Sequence, residues 1–437
     1  MVKCSVTTLP ERLVPIPPLR IALLSYRSKP HCGGQGVYVR HLSRELSALG
    51  HAVDVFSGQP YPDLDPGPVL RELPSLDLYR EQDPFRTPRL GEYRDWTDVL
   101  ETALMWGGAF PEPLTFSIRA RRALAARRSD FDVVHDNQGL GYGMLRLRQS
   151  LGLPLVTSIH HPISVDRRID LASVRGLKRL SRRRWYGFVR MQARVARAAG
   201  PVITVSQSAK ADICRDFRVP PEDVHIIPLG VDTRIFRPRP EAARAPGRIV
   251  AVASADSALK GTSTLLRAVG KLATERDVHL IVVGKPSPDT LRLVAQLCLA
   301  DRVTFTHGLD EAAYAGLLAS AELAVVPSLY EGFSLPAVEH MASGTPLVAS
   351  RAGALPEVTG SEPDTAGAVL VSPGDPEELY AALLRLHDSP RERTGLGERG
   401  LRRVRERFAW PTVARATVER YRDAMSEPGE PDGAGAC

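Results

Sequence analysis

The sequence predicts an α/β protein made of two doubly wound, Rossmann-like parallel-sheet domains facing each other across a cleft. Three observations lead there. The chain is 437 residues long with a mass of 47.7 kDa, more than one ordinary hydrophobic core organises. Short apolar, β-branched runs alternate with amphipathic helical stretches along nearly the whole length. A proline-rich break near the middle separates two such alternations.

The elements follow in order. Ile21–Ser25 reads as a strand, and His31-Cys32-Gly33-Gly34-Gln35-Gly36 as a glycine-rich turn into a helix with Val39, Leu42, Leu46 and Leu49 on one face. Gly50-His51 stops that helix, and Ala52–Phe56 is the next strand. Residues 58–115 lack a clear period and read as an irregular insertion with one helix near Trp96–Trp106. Strand signals resume at Val133–His135, Leu155–Ile159 and Val202–Val205. Pro228–Gly247 holds four prolines and reads as an interdomain linker. The second alternation places strands at Ile249–Ala253, His279–Val283, Val303–Thr306, Leu323–Val326, Pro346–Ala349 and Ala368–Val371. Terminal helices are expected near Glu377–Leu386 and Thr412–Met425. The expected division is an arm at 1–19, an N-terminal acceptor domain at 20–228, a linker at 229–247 and a C-terminal domain at 248–411. A helix at 412–425 should return to the first domain, ahead of a disordered tail at 426–437.

Composition narrows the class. Hydrophobic residues make up 43% and charged residues 24%, as in soluble globular proteins. No stretch approaches the roughly 18 apolar residues of a membrane span. The N-terminal stretch lacks the apolar run of a signal peptide. Five scattered cysteines, without CxxC spacing or a histidine partner, point away from disulfides and zinc and toward the cytoplasm. The net charge is +7, unevenly placed: residues 1–230 carry 33 basic against 23 acidic side chains, residues 231–437 carry 24 against 27. The segment Arg175–Arg197 alone has nine basic residues and no acid, interleaved with Leu177, Leu180, Trp185, Tyr186 and Phe188. As a helix it would suit an anionic membrane face, or else be a solvated surface helix with its apolar side on the sheet. No nucleic-acid motif accompanies the charge.

Two segments carry the chemistry. The first glycine-rich turn could let backbone approach an anion, but it is not GxGxxG, which disfavours a dinucleotide-dependent oxidoreductase. More specific is Pro327–Gly344, where a strand ends in a loop that opens a helix. Glu331 and Glu339 fall one in the loop and one about a turn into the helix, with Gly332, Phe333, Ser334 and Leu335 between them at its positive end. A phosphate could rest on those amides while the carboxylates accept from sugar hydroxyls.

The Glu331–Glu339 segment resembles the Glu-x7-Glu hallmark of the retaining nucleotide-sugar glycosyltransferases of family 4, which have the GT-B fold. Other motifs agree in order. Val205-Ser206 with Lys210 is similar to the family's V-S-x-x-x-K, and Ile226-Ile227-Pro228-Leu229-Gly230-Val231-Asp232 with Phe236 to its I-P-N-G-V-D…F, with Leu229 for Asn. Lys260-Gly261 and Gly353–Val358 continue the match, while 58–131 lies outside it.

The resemblance implies a retaining hexosyltransferase acting on a hydroxyl acceptor: lipid, glycan or small metabolite, with the basic first half favouring an anionic or membrane-bound one. No DxD-type metal site is apparent in the sequence, so the expected reaction is metal-independent and cofactor-free. The donor would be a nucleotide sugar, UDP-linked first and GDP-linked second. Glu339 would hold the nucleotide ribose and Glu331 the transferred sugar. Lys260 would neutralise the diphosphate, Gly33 and Gly34 would close over the donor, and His160 of Thr157-Ser158-Ile159-His160-His161 would touch its sugar. His161 and His135 are secondary candidates. One departure stands out: the family's Arg five residues before the Lys is Ala255 here. Lys285, Arg234 and Arg27 are candidate substitutes. A GT-B epimerase and a non-catalytic nucleotide-sugar binder are the alternatives. A cytoplasmic enzyme, with peripheral contact to the inner membrane face through Arg175–Arg197, is the expected setting.

Overall fold

Strands whose residues are apolar at consecutive positions must be covered on both faces, which is how parallel sheets are built. The computed structural model describes residues 17–28, 34–80, 82–239, 244–253, 258–362 and 364–426, and structural statements are confined to these. The first half runs β1 (Arg20–Ser25), α1 (Gly34–Ala48), β2 (Ala52–Ser57), β3 (Val69–Glu72), α2 (Trp96–Trp106), α3 (Glu112–Ala125), β4 (Val133–Asn137), α4 (Tyr142–Leu151), β5 (Leu155–Ser158), α5 (Ser164–Ser173), α6 (Gly176–Trp185), α7 (Phe188–Ala198), β6 (Val202–Thr204), α8 (Gln207–Phe217) and β7 (Val224–Ile226). Its seven strands lie in the order β3-β2-β1-β4-β5-β6-β7, all parallel.

The second half runs β8 (Arg248–Val252), α9 (Thr262–Leu272), β9 (His279–Val283), α10 (Pro288–Gln296), β10 (Val303–Thr306), α11 (Glu311–Ala319), β11 (Leu323–Val326), α12 (Leu335–Ala342), β12 (Leu347–Ser350), α13 (Leu355–Thr359), β13 (Ala368–Val371), α14 (Pro376–Asp388), α15 (Pro390–Arg407) and α16 (Trp410–Ser426). Six parallel strands take the order β10-β9-β8-β11-β12-β13. The six strands expected in this half are all present.

The structure differs from the sequence reading at four places. The segment 58–115 is not irregular throughout: besides the expected helix α2 it adds edge strand β3, whose mostly exposed residues give no alternation, and its end starts helix α3, which continues past it to bury Phe116, Ala120 and Leu124 in the first core. Strand β7, only three residues long, is too short for a periodic signal. Helix α15 reads as a charge run because its buried face is largely small, Gly397 and Gly400 with Leu396 and Val404. The basic segment 175–197 is two helices, not one. In α7 Val189, Met191, Val195 and Ala196 are buried in the first domain, whereas α6 has no buried residue and leaves Leu177 86% exposed among its basic side chains. No described helix is long and apolar enough to cross a membrane.

The chain crosses between domains twice. The crossings are pinned together where the Val231 N–H donates to the Phe408 carbonyl at 2.8 Å. After the second crossing, α16 lies on the first domain. Trp410 stacks on His41 with ring centroids 5.3 Å apart and tilts against Tyr38 at 5.8 Å, while Val413, Ala414, Val418 and Tyr421 join the core formed by Val39, Leu42 and Leu46. His135, a secondary catalytic candidate from sequence, is part of this packing. Its Nδ1 meets the Tyr421 hydroxyl at 2.7 Å and its Nε2 the Ser158 hydroxyl at 2.6 Å, and burial lowers its pKa to about 3. It is a structural histidine.

Trp410→Ala should therefore cost about 3–5 kcal/mol, the usual loss for emptying a buried aromatic site. Urea unfolding checks this; an unchanged midpoint would remove α16 from the first core.

Candidate active site

In open parallel sheets the crevice forms where the strand order reverses, outside the carboxyl ends of the strands. Here that point falls between β8 and β11 in the second sheet and between β1 and β4 in the first. The loops after β8 and β11 bring Lys260 and Glu331 together. Lys260 closes a 3-10 turn, Ala258–Lys260, and Gly261 follows with φ 65°. A Cβ at Gly261 would sit 2.0 Å from the Pro327 carbonyl oxygen, so only glycine lets the two loops touch. The Leu329 N–H donates to the Leu259 carbonyl at 2.7 Å and fixes their register.

Within this frame Lys260 Nζ lies 2.8 Å from Glu331 Oε1, and the Ser328 hydroxyl donates to the same oxygen at 2.7 Å. The Glu331 carbonyl accepts from the Ala354 N–H at 2.9 Å. Phe333 is buried against Phe408. Ser334 turns the chain into α12 with φ 83°, a left-handed conformation costly for any residue but glycine. One turn into α12, Glu339 accepts a hydrogen bond from the Tyr314 hydroxyl at 2.6 Å. Burial pushes its carboxyl up to about 7, against the pull of that hydroxyl and helped by the charge of Glu311.

A cavity of about 280 Å³ opens between the domains. The first domain contributes His160, His161, Val165 and Asp166; the second contributes Lys260, Tyr330, Glu331, Gly332 and Phe333. His160 and His161 sit directly after β5. Burial lowers the His160 imidazole to about 4, so it is neutral at physiological pH. His161 Nε2 lies 3.3 Å from Asp166 Oδ2. Contacts across the interface flank the cavity: the Ser206 hydroxyl donates to the Gly332 carbonyl at 2.6 Å, the Tyr330 hydroxyl to Asp212 Oδ2 at 2.6 Å, and the Gln207 N–H to Glu357 Oε2 at 2.8 Å.

The structure thus brings His160, Lys260, Glu331, Gly332 and Phe333 around one space. Ser334, Leu335 and Glu339 follow on the same loop and helix but do not line it. Gly34 opens α1; Gly33 and Ala255 lie outside the described residues. The substitute cations proposed from sequence do not reach the cavity. Arg234 is held by Asp232 at 2.7 Å, Arg27 by Glu112 at 3.2 Å and the Tyr79 carbonyl, and Lys285 is exposed beyond β9. Among the described lining residues, Lys260 is the one lysine or arginine. Sequence reasoning missed Tyr314, Ser328, Asn137 and Gln138. Their shared signal, for all but Tyr314, is a polar side chain at or just past the carboxyl end of a parallel strand.

Comparison with known proteins agrees with this geometry. Residues 32–235 match the model of Glycosyltransferase Family 4 and residues 246–389 that of Glycosyl transferases group 1. The chain is 57% identical over 411 residues to an MMP alpha-(1->4)-mannosyltransferase of Mycolicibacterium hassiacum, covering 93% of this chain and 99% of the relative. It is 30% identical to a D-inositol 3-phosphate glycosyltransferase of Acidothermus cellulolyticus, covering 94% and 92%. Among solved structures, sucrose-phosphate synthase from Thermosynechococcus elongatus superimposes with a TM-score of 0.69 at 25% identity, over 93% of this chain and 99% of that one.

The Glu339 environment yields a signed pH effect. Its folded pKa is above the unfolded value, so the folded state holds the extra proton between about pH 4.5 and 7. The stability this contributes is full below the unfolded pKa and lost as pH rises through 7, an upper scale of about 3 kcal/mol. Glu339→Gln should flatten that decline in urea midpoints measured at pH 5 and pH 8; an unaltered slope would contradict the buried neutral carboxyl.

Proposed function

Since the chain belongs to glycosyltransferase family 4 and is a glycosyltransferase, we propose that it transfers mannose from a nucleoside-diphosphate mannose to the C4 hydroxyl of a sugar acceptor, with retention. One observation carries the donor half of this reading: the 2.8 Å Lys260–Glu331 pair facing neutral His160 across the interdomain cavity. A departing diphosphate gains negative charge, and a preorganised ammonium stabilises that charge where it develops. Glu331 accepts from hydroxyls of the transferred sugar, and Glu339, when ionised, from the ribose. The near-full-length similarity to the α-(1→4)-mannosyltransferase supports the choice of sugar and linkage.

The mechanism proposed is a same-face displacement. The acceptor oxygen forms its bond to the anomeric carbon as the carbon–phosphate oxygen bond breaks, and the leaving phosphate oxygen takes the acceptor proton. Lys260 supplies the compensating charge, so the reaction is proposed as metal-independent and without a resident cofactor. Uridine and guanosine diphosphates are the two donor bases to compare. The similarity to D-inositol 3-phosphate glycosyltransferases supports a second reading with an anionic acceptor, which the basic surplus of the first domain suits. Exposed α6, with its lysine, arginines and Leu177, is the proposed place for peripheral contact with an anionic membrane.

Lys260→Ala and Glu331→Ala should each lower turnover by about 10²–10³-fold, the scale for removing one preorganised charge-stabilising group, with unchanged melting cooperativity. NMR of the product made from each nucleoside-diphosphate mannose should show an α-linkage. Epimerised donor in the absence of acceptor, or near-wild-type rates in both variants, would contradict the proposal.

A further inference from the structure

Beside His160 the first domain builds a support that the sequence motifs do not contain. Strand β4 ends in Asp136-Asn137, and the chain then turns through Gln138 and Leu140, both left-handed at φ 59° and 52°. The turn is held from within. Asp136 Oδ2 accepts the Leu140 N–H at 2.6 Å, and its Oδ1 packs so closely over Gly139 that a Cβ there would lie 2.5 Å away and displace the carboxyl. The Gln138 N–H donates to the Ser158 carbonyl at 2.9 Å. Its side chain then clamps the histidine pair: Gln138 Oε1 accepts the His160 N–H at 3.0 Å, and Nε2 donates to the His161 carbonyl at 3.0 Å.

With the backbone fixed, Asn137 addresses the ring. Its Oδ1 lies 2.7 Å from His160 Nε2, and Asn137 is fully buried. An amide oxygen only accepts, so the facing ring nitrogen must carry a proton. A neutral imidazole has one such proton, which leaves Nδ1 with a lone pair. That atom is buried and has no hydrogen-bond partner among the described residues. The ring's other neighbour on this side, Tyr38, meets it edge-on with centroids 4.4 Å apart.

We propose that Asn137 is a positioning residue that holds His160 as the neutral Nε2–H tautomer, leaving Nδ1 as the ring's acceptor. Any contact of the ring with the transferred sugar rests on the role that the sequence resemblance implies for His160; the tautomer does not. The charged and titratable groups around the ring are Tyr38 from α1, His135 and Asp136 from β4, His161 beside it, Asp166 from α5, and Lys260, Tyr330 and Glu331 across the cavity. Burial keeps His160 neutral among them, and Asn137, being uncharged, sets the tautomer without inviting a second proton.

The test uses full-length protein labelled with ¹⁵N-histidine, with His160→Gln to assign the resonances. Wild type should show a proton-bearing Nε2 and a lone-pair Nδ1 from pH 5 to 8. Asn137→Leu, which keeps the branched shape and removes the acceptor, should give a mixture of tautomers and a loss of about 10- to 100-fold in kcat/KM, as when an orienting partner is removed. Asn137→Asp should instead raise the imidazole pKa and shift the acid limb of the pH profile upward, because a carboxylate favours the imidazolium. A proton found on Nδ1 in the wild type, or a tautomer unmoved in Asn137→Leu, would overturn the proposal. The NMR result holds whether or not mannose proves to be the transferred sugar, so failure of one reading is separable from failure of the other.

Discussion

The pairing of Lys260 with Glu331 is the interaction around which the second domain is arranged. The two residues come from loops separated by about seventy positions in sequence, yet they follow neighbouring parallel strands at the place where the strand order reverses. A lysine and a carboxylate at 2.8 Å neutralise each other in the wall of the interdomain cavity. Much local structure serves that pairing: the bare backbone of Gly261 against Pro327, the Leu259–Leu329 hydrogen bond, the Ser328 hydroxyl on Glu331, and the left-handed Ser334 that starts α12.

The first domain answers with a matched device at its own switch point. The Asp136–Leu140 turn after β4 and the His160-His161 segment after β5 are locked by side-chain hydrogen bonds, so one wall of the cavity is rigid. What holds the two walls at working distance lies partly elsewhere. The two interdomain crossings meet at Val231 and Phe408, and α16 commits the chain end to the first domain through Trp410 and Tyr421. By contrast, the contacts across the cleft, Ser206 to Gly332 and Tyr330 to Asp212, are single hydrogen bonds flanking the site. Strong attachment at the hinge with light contacts at the mouth is the arrangement expected of a cleft that must open to exchange substrates.

The second sheet was readable because its strands are apolar on both faces and bounded by turns, and Leu323–Val326 leads straight into the Glu331–Glu339 segment. Lys260, Glu331 and Glu339 were legible as motif residues for the same reason: a strand end, a loop and a helix start come in fixed sequence order. Tyr314 and Asn137 were not, since their distances to Glu339 and His160 are set by helix packing and strand order rather than by spacing. The proposed substitute cations show the converse limit. Arg234 and Arg27 look available in a sequence, which hides that Asp232 and Glu112 already hold them. Strand β3 and helix α15 escaped detection because an exposed edge and a face of small residues leave little hydrophobic pattern.

The central claim is that this cavity takes a nucleoside diphosphate through Lys260. The most direct measurement is isothermal titration of wild type and Lys260→Ala with UDP and GDP under identical conditions. The account predicts saturable binding of one diphosphate to the wild type and a loss of at least about tenfold, roughly 1.4 kcal/mol, in the variant. Equal affinity in the two proteins, or no binding of either diphosphate to the wild type, would contradict it.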